Sequence, residues 1–476
     1  MKLFDDPATN RRFHRTQWRM LIATMIGYTL FYFMRKNFSF AMPGLEQDCG
    51  ITKAMLGNIL FAGGIVYGIS KFLNGIVGDR CNARMMLCFG LLVCALVNVA
   101  FGFAPQLVSL FGGEPVAKKM VEGQEVLVPS VALVWTFGIL LVANQFFQGT
   151  GFPPCAKLIA FWVPPNELAT KMSVWNTSHS IGGGLVAKAC GVIMGLGVIG
   201  AANQGVGMWR WCFWSMAILG LLGIVAMWFM LPGTPKDEGL PDLPGTETGG
   251  PRSGATEKAA DAQGRETPAH VPSMARMVFL NPVIWMLGLC NFAINAVRAL
   301  VADWGPTLLQ EAKGLTSSEA GTVIMLFEFA GIVGMLFAGW ATDRLFGGRA
   351  PRLCVFLMAL TAGMLAAFWF LPAGGFTGIL AMAALCMAGF CLYGPQALTG
   401  VTCTNSSTKV YAGTSIGFAS LFSYIGVSVS GKVCGTLAQN TGGWQVPVLA
   451  IAGVAAVGFV LFLCLWNVRA NSYESE

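Results

Sequence analysis

The most constraining feature of this sequence is a series of apolar segments separated by short polar turns. Each segment is about 20 residues long, which is the length at which a helix crosses the hydrocarbon core of a bilayer. Hydrophobic residues make up 55% of the 476 residues and charged residues only 11%, whereas a soluble protein carries roughly 25% charged residues. The alternation typical of membrane β-barrels is not visible. The sequence therefore predicts an all-α membrane protein.

The apolar segments predict twelve transmembrane helices in two groups of six. The predicted spans are residues 20–43, 54–78, 84–106, 131–152, 170–200, 208–231, 280–306, 317–341, 352–371, 376–403, 411–437 and 444–467. Between the sixth and seventh spans, residues 232–277 are rich in Pro, Gly, Thr and charge, which is typical of a flexible linker. We expect helical halves at 20–231 and 278–468, with tails at 1–19 and 469–476.

Basic residues are concentrated in alternate loops, and this distribution predicts the orientation of the chain. Residues 1–19 carry Lys2, Arg11, Arg12, Arg15 and Arg19, and arginines also follow spans 2, 8 and 12. By the positive-inside rule, both termini are expected in the cytoplasm. The net charge of +7 then reflects this asymmetry and does not indicate nucleic-acid binding. The 14 cysteines lie scattered in apolar spans, so neither a metal nor a cofactor is expected.

Charged residues inside the predicted spans give the main indication of function. The cations are Arg35, Lys36, Lys71, Lys188, Arg298 and Lys432, and the acids are Asp303 and Glu328. If all the cations faced lipid, the cost would be on the order of 15–20 kcal/mol, more than the stability of a typical domain. Two acids cannot neutralise this set of cations. We therefore predict a positively charged cavity and a small anionic substrate.

The two halves resemble each other around an arginine in the first span of each. Arg35 is followed eight residues later by Pro43, and Arg298 is followed eight residues later by Pro306. A duplicated six-span unit places a binding site between its halves, near the membrane midplane. Two guanidinium groups, one from each half, can hold a tetrahedral phosphate by bidentate hydrogen bonds. The alternative is that each arginine only forms a structural ion pair.

Several longer motifs carry a resemblance to a known family. They are FYFMRKNFSFAMP, GISKFLNGIVGDRCNAR, QGTGFPPCAKLIAFW, WNTSHSIGGG, AVRALVADWGPTLL and YGPQALTGV, together with the turns Gly75-x3-Asp79-Arg80-x3-Arg84 and Gly339-x3-Asp343-Arg344-x4-Arg349. The chain resembles the organophosphate:phosphate antiporter family of the major facilitator superfamily everywhere except in the linker and the 106–130 loop. This resemblance implies the major facilitator fold, with twelve transmembrane helices in two pseudo-symmetric halves.

The resemblance also implies roles for single residues. Arg35 and Arg298 are expected to bind the phosphate group, with His179 as a further ligand rather than only a hydrogen-bonded core residue. The other expected substrate contacts are Lys36, Lys71, Tyr28, Tyr32, Tyr393, Tyr424 and Lys432. Tyr424, Ser428 and Lys432 are predicted to share a helix face. An aspartate that balances the lysine at position 432 in hexose-phosphate members is missing, which leaves a more highly charged ester open as the substrate.

Two further groups are expected to act in conformational change. Lys36, Asp303 and Glu328 are predicted to form ion pairs between the halves that are exchanged when phosphate binds, although static structural pairs are the alternative. The charged residues of the matching turns, Asp79, Arg80, Arg84, Asp343 and Arg344, are expected to close the cytoplasmic face. Lys188 has no assigned role; it either snorkels or contacts substrate.

Together these features predict a secondary transporter that exchanges hexose 6-phosphate for inorganic phosphate by alternating access. Glycerol 3-phosphate as the substrate, a non-transporting sensor of external sugar phosphate, and a proton-coupled phosphate transporter are left open. No nucleophile–base pattern indicates an enzyme. We expect a monomer surrounded by lipid in the bacterial inner membrane, although a relative in the endoplasmic reticulum has the same architecture.

Overall fold

The computed structural model describes residues 4, 6–121, 124–199, 207–241, 278–406 and 412–468. These residues are almost entirely helical. The helices are α1 Pro7–Cys49, α2 Lys53–Arg80, α3 Ala83–Gly102, α4 Ala104–Leu110, α5 Val131–Gln148, α6 Phe152–Trp162, α7 Pro165–Ile199, α8 Trp209–Met230, α9 Pro282–Lys313, α10 Ser317–Leu345, α11 Ala350–Phe370, α12 Gly375–Asn405, α13 Ala412–Thr441 and α14 Gln445–Cys464, and the strands are β1 Val116–Val121 and β2 Gln124–Pro129.

The described helices confirm the predicted twelve-helix architecture. Eleven segments are long and apolar enough to cross a membrane, with α5 and α6 together forming one of them. The twelfth is α1, a helix of 43 residues. It begins at Pro7, inside the predicted tail, because Asp6 caps it by accepting hydrogen bonds from the N–H groups of Ala8 and Thr9. Phe13 and Gln17 of this extension are buried.

A β-hairpin interrupts the otherwise helical chain. Strands β1 and β2 pair antiparallel, with Val116 opposite Pro129. The hairpin covers the turn between α1 and α2 so closely that a Cβ on Gly50 would lie 2.2 Å from the carbonyl oxygen of Leu127. Sequence analysis left residues 106–130 as a loop, since the pairing of these strands depends on the neighbouring helices.

The halves repeat the same turn after their first helix. Helices α1 and α9 end at Gly50 and Gly314, with φ of +67° and +66°, where a residue without Cβ is favoured. The side chains of Thr52 and Thr316 then cap α2 and α10. Pro43 and Pro306 lie inside α1 and α9. The structure therefore extends the repeat that the sequence predicts around the two arginines.

The two ends of the helical bundle differ. We call the end where α1 begins and α14 ends the tail face, and the opposite end, which carries β1 and β2, the hairpin face. Near the hairpin face, α2 packs on α13 and α7 packs on α10, and each pair joins the two halves. A Cβ on Gly57 would lie 3.1 Å from the carbonyl oxygen of Gly431, and one on Gly191 would lie 2.6 Å from that of Ser317. Small residues allow this close approach.

Ion pairs also join the halves at the hairpin face. The Lys53 ammonium lies 2.7 Å from a Glu46 carboxylate oxygen and 2.9 Å from a carboxylate oxygen of Glu311 in the other half. Trp444 donates a hydrogen bond to the second carboxylate oxygen of Glu311. The hairpin face is therefore closed by both packing and charge.

Toward the tail face the same helices separate. A Cβ on Gly75 of α2 or on Gly417 of α13 would have no heavy atom within 4 Å among the described residues. The structure is thus closed at the hairpin face and open at the tail face.

The first part of the predicted linker is packed against the tail face. Trp162 donates a hydrogen bond of 2.8 Å to the carbonyl oxygen of Gly233, and Arg19 lies 3.3 Å from the Glu238 carboxylate. These contacts hold residues 232–241 on the first half, and the linker predicted at 232–277 stays a prediction. Residues 242–277 lie outside the described residues.

Candidate functional site

A cavity of about 310 Å³ lies between the halves on the open side. Its lining is unusually rich in charged and hydrogen-bonding groups for the interior of a membrane protein. Among the lining residues are Tyr28, Tyr32, Arg35, Lys36, Tyr67, Lys71, Trp175, Asn176, His179, Asn291, Asn295, Arg298, Asp303, Gln396 and Tyr424. The structure thus brings most of the predicted substrate contacts to one place.

Arg35 projects from the middle of α1 into this cavity. Its guanidinium carbon lies 3.9 Å from the ring centre of Tyr67 and 5.6 Å from that of Tyr32. Stacking on aromatic faces orients the guanidinium group and leaves its edge available for hydrogen bonds. Within the described part of the chain, no carboxylate lies at ion-pair distance from it. The positive charge of Arg35 is therefore not neutralised locally.

Arg298 is the counterpart of Arg35 in α9, but it has a carboxylate partner. One of its terminal nitrogens lies 3.4 Å from each carboxylate oxygen of Glu328. Tyr393 donates a hydrogen bond to the same carboxylate, and its ring centre lies 4.8 Å from the Arg298 guanidinium. Glu328 and Tyr393 do not line the cavity; they lie behind Arg298, with only 3% of Glu328 exposed.

The ion pair predicted between the halves is present for one of the two acids. The ammonium of Lys36, on α1, lies 2.6 Å from a carboxylate oxygen of Asp303, on α9. Both side chains line the cavity and are 16% and 9% exposed. Glu328 instead pairs with Arg298 of its own half. The prediction that Glu328 pairs across the halves is therefore not met in this conformation, because Asp303 already occupies the Lys36 ammonium.

Lys71 adds a second cation without a carboxylate among the described residues. Its ammonium donates a hydrogen bond of 2.7 Å to the hydroxyl of Tyr424, and it lies 4.8 Å from the ring centre of Phe152. Tyr424 in turn packs edge-to-face on Tyr67, with ring centres 5.1 Å apart. This aromatic cluster links Lys71 to the Arg35 guanidinium.

His179 lies between aromatic rings from both halves. Its ring centre is 5.9 Å from that of Tyr32 and 6.3 Å from that of Tyr393. One ring nitrogen, Nδ1, hydrogen-bonds the carbonyl of Asn176, whereas Nε2 is buried and has no partner among the described residues. A buried polar atom in a cavity wall that lacks a partner is costly in the empty state. Nε2 is therefore available to a ligand.

Two predicted substrate contacts, Lys432 and Tyr393, and the unassigned Lys188 do not line the cavity. The side chain of Lys432 is exposed, and its ammonium lies 5.3 Å from the ring centre of Phe61 on α2. Tyr393 contacts Glu328, as described above. Lys188 lies between α7 and α10, where it donates a hydrogen bond to Thr322. The excess of positive charge at the cavity is therefore smaller than the sequence predicts.

The charge of the site follows from these placements. The cavity lining and the groups directly behind it hold four cations, Arg35, Lys36, Lys71 and Arg298, and two carboxylates, Asp303 and Glu328. Among the described residues, this leaves an excess of two positive charges, with histidine counted as neutral. The two cations that lack a carboxylate are Arg35 and Lys71.

The residues predicted to close the cytoplasmic face are not brought together. Arg84 lies 3.8 Å from the Glu238 carboxylate, within its own half. Asp343 and Arg344 are exposed at the end of α10 and form no ion pair with another described residue. The side chains of Asp79 and Arg80 lie outside the described part of the structure. Their predicted role remains untested in this open conformation.

Comparison with known proteins identifies the family. Residues 24–431 match the family model of the Major Facilitator Superfamily. The chain is 30% identical to the glycerol-3-phosphate transporter of Bacillus subtilis, over 97% of this chain and 95% of that one. It is 33% identical to the membrane sensor protein UhpC of Salmonella typhimurium (94% and 92% covered) and 32% identical to a probable hexose phosphate transport protein of Chlamydia trachomatis (100% and 97% covered).

The chain belongs to the organophosphate:phosphate antiporter family of the major facilitator superfamily. The predictions of the family and of the fold are confirmed. So is the prediction that the protein is not an enzyme, since the family match is to membrane facilitators. It is an integral, multi-pass membrane protein.

Solved structures support the same fold. The chain superimposes on a bacterial homologue of the human lysosomal transporter Spinster with a TM-score of 0.69, at 14% identity and with 95% of this chain and 98% of that one covered. It superimposes on a D-xylose–proton symporter with a TM-score of 0.70, at 15% identity and with 95% and 98% covered. These superpositions show the twelve-helix architecture alone.

Several cavity residues were not singled out from the sequence, among them Tyr67, Trp175 and Gln396. Tyr67 lies four residues before Lys71 on α2, and this helical spacing marks both for one face. Trp175 and Gln396 stand inside the quoted motifs WNTSHSIGGG and YGPQALTGV. The indole nitrogen of Trp175 and the side-chain oxygen of Gln396 are buried without a partner among the described residues.

Proposed function

We propose that this protein is a secondary transporter that exchanges a phosphorylated sugar, hexose 6-phosphate in the first place, for inorganic phosphate by alternating access. Curated relatives over almost the whole chain include a probable hexose phosphate transport protein and a glycerol-3-phosphate transporter. Glycerol 3-phosphate is therefore the alternative substrate. These relatives carry different esters, so the cavity itself must indicate the substrate class.

The observation that carries this proposal is the charge of the cavity. Arg35 and Lys71 both line it without a carboxylate partner among the described residues, which gives an excess of two positive charges. A phosphate monoester and inorganic phosphate both carry about −1.5 to −2 charges at pH 7. Either anion neutralises the site, whereas an uncharged sugar leaves both cations uncompensated in the membrane. This match explains why two such different solutes use one site.

The remaining polar groups suit the sugar part of the substrate. Trp175 offers a hydrogen-bond donor, Gln396 offers an acceptor, and both are buried and unpartnered among the described residues. Asn291 and Asn295 line the same cavity. Uncharged donors and acceptors of this kind match hydroxyl groups. We place the phosphate group at Arg35, Arg298 and Lys71, and the hydroxyl groups nearer these uncharged side chains.

Exchange follows from the ion pairs around the site. Phosphate bound to Arg298 competes with Glu328 for the terminal nitrogen that contacts both carboxylate oxygens, which frees the carboxylate. Phosphate near Lys36 likewise weakens the pair with Asp303 that joins the halves. Reorientation then requires a bound anion, and an empty carrier stays in place. A ligand that binds two conformations differently in this way shifts their equilibrium.

The orientation and surroundings of the protein complete the proposal. The excess of basic residues in residues 1–19 and in alternate loops favours a cytoplasmic location for both termini. The tail face is then cytoplasmic, and the structure is open to the cytoplasm. We propose that the protein works as a monomer surrounded by lipid in a bacterial inner membrane, with the two halves at residues 20–231 and 278–468.

The decisive experiment is exchange in proteoliposomes. Vesicles loaded with phosphate are expected to take up labelled glucose 6-phosphate, and uptake should stop when the internal phosphate is omitted. Glycerol 3-phosphate and phosphoenolpyruvate serve as competitors, and their order of potency defines the substrate class. Arg35→Lys and Arg298→Lys are expected to abolish uptake, because a lysine cannot form the bidentate contact.

A sensor is the second candidate, since a sensor protein matches the chain at 33% identity. Binding of glucose 6-phosphate to purified protein, together with no exchange of any phosphate ester, would favour the sensor. Uptake that does not depend on internal phosphate would rule out obligate exchange and favour coupling to protons.

A further inference from the structure

Lys188 lies on the closed route between the cavity and the hairpin face. It stands on α7, nine residues beyond His179 toward the hairpin face, which is about 13 Å along a helix. Gly184 and Gly191, one turn to either side, both pack on α10: a Cβ on Gly184 would lie 3.0 Å from Phe329, and one on Gly191 would lie 2.6 Å from the Ser317 carbonyl. The lysine therefore lies at the contact between the halves, where it is partly buried.

The ammonium of Lys188 is poorly neutralised in this contact. It donates a hydrogen bond of 2.7 Å to the hydroxyl of Thr322, and no carboxylate among the described residues lies at ion-pair distance. A close contact of glycine-rich helices in a membrane is normally made by small or uncharged side chains. A charged group at such a place is costly and calls for a functional reason. In this conformation, no carboxylate among the described residues explains the charge at this position.

Alternating access supplies the reason. The α7–α10 contact is one of the two that close the hairpin face, so it must open when the cavity is exposed to the opposite side. Lys188 then faces water, with the hairpin face on one side of it and His179 and Arg298 on the other. An unpaired ammonium in a narrow, low-dielectric passage concentrates anions.

We propose that Lys188 is a second anion-binding position, which receives inorganic phosphate or a phosphate ester from the hairpin side before the anion reaches Arg35 and Arg298. The inference rests on the proposed function, since it concerns the route of the same anionic substrate. It assigns a direction to the site: Lys188 serves binding from the hairpin face and has no part in binding from the tail face. When the hairpin face closes, Thr322 takes the place of the anion.

The test measures exchange of labelled phosphate for phosphate from each side separately. Intact cells expose one face, and inverted membrane vesicles expose the other. In Lys188→Gln, the half-saturating phosphate concentration is expected to rise roughly tenfold at the hairpin face and to stay within about twofold at the tail face. Lys188→Arg should keep most of the wild-type affinity. Lys432→Gln is the matched control, because it removes a lysine from the other contact that closes the hairpin face, α2 on α13, and it should leave the affinity within about twofold of wild type.

Chemical rescue separates charge from packing. Lys188→Cys treated with aminoethyl methanethiosulfonate regains an ammonium group on a chain of similar length, and the affinity at the hairpin face should return. The uncharged hydroxyethyl reagent should not restore it, and wild-type protein given both reagents controls for the native cysteines. Equal changes at both faces, or equal rescue by both reagents, would overturn the proposal. If wild-type protein exchanges no phosphate at all, the proposed function fails instead.

Discussion

Arg35 and Arg298 occupy equivalent places in the two halves, yet their surroundings differ. Arg35 stacks on Tyr67 and has no carboxylate at ion-pair distance among the described residues. Arg298 contacts both oxygens of Glu328. The repeat has therefore kept the guanidinium group in each half but has balanced the charge of only one.

This difference assigns separate tasks to the two arginines. An uncompensated guanidinium attracts an anion in every state of the cavity, so Arg35 supplies affinity. Arg298 already contacts the Glu328 carboxylate, so phosphate has to displace that carboxylate. The Arg298–Glu328 ion pair therefore changes when phosphate binds. Binding energy is then used partly to release Glu328, and that release is available to drive reorientation. The following predictions test this division.

The largest effect is expected from removing the charge of Arg35. Arg35→Gln deletes two charge-assisted hydrogen bonds to phosphate, worth about 4 kcal/mol together, which is roughly a thousandfold loss of affinity. Binding of labelled phosphate to purified protein measures it. Adding Glu328→Gln should not repair the loss, since Glu328 does not contact Arg35. A tenfold recovery in the double variant would show that the two arginines act as one group.

Arg298→Gln should lower the affinity by roughly a hundredfold, partly because it leaves the Glu328 carboxylate buried without a cation. In the double variant with Glu328→Gln, the buried carboxylate without a cation is removed. The double variant should therefore bind phosphate about tenfold more tightly than Arg298→Gln alone. The same binding assay compares the single and double variants. Strictly additive losses would contradict the exchange of partners.

Glu328→Gln alone should separate transport from binding. Phosphate no longer has to displace a carboxylate, so the affinity should stay within about threefold of wild type or rise. Exchange in proteoliposomes should fall by roughly tenfold, because binding no longer changes the ion pairs that hold the conformation. Equal losses of binding and exchange would mean that Glu328 only supports the structure.

Lys71→Gln is expected to have a smaller effect than either arginine variant. It removes one of the two uncompensated charges, so the affinity for a doubly charged anion should fall by roughly tenfold. Tyr424→Phe removes only the hydroxyl that accepts from Lys71 and should cost about threefold.

The sequence predicted the architecture and the central arginines well. Apolar segments of spanning length, the linker composition and the spacing from Arg35 to Pro43 and from Arg298 to Pro306 are local properties that can be read directly. The β-hairpin at 116–129 and the ion pair between Glu328 and Arg298 could not be predicted from such local properties. Both depend on which helices approach each other in three dimensions, and local sequence patterns do not show that.

The placement of lysines shows the limit most clearly. Tyr424, Ser428 and Lys432 were assigned to one face because they lie four residues apart. All three contact α2: Tyr424 accepts from Lys71, Ser428 packs at Gly64, and the Lys432 ammonium lies over the ring of Phe61. Lys432 does not line the cavity because it lies eight residues, about 12 Å, farther along α13 toward the hairpin face than Tyr424. Spacing identifies a shared helix face, but it does not show how far along that face a cavity extends.

The smallest effect is therefore expected for Lys432→Gln. The substrate has to neutralise the two excess positive charges of the cavity. Lys432 does not line the cavity, so the absence of an aspartate that balances it has no consequence for the charge of the substrate. The half-saturating concentration of glucose 6-phosphate should change by less than about twofold. A more highly charged ester, such as phosphoenolpyruvate, should compete no better in wild type than in the variant. A selective loss of phosphoenolpyruvate competition in Lys432→Gln would instead bring the lysine into the cavity in another state, and would raise the charge that the substrate must match.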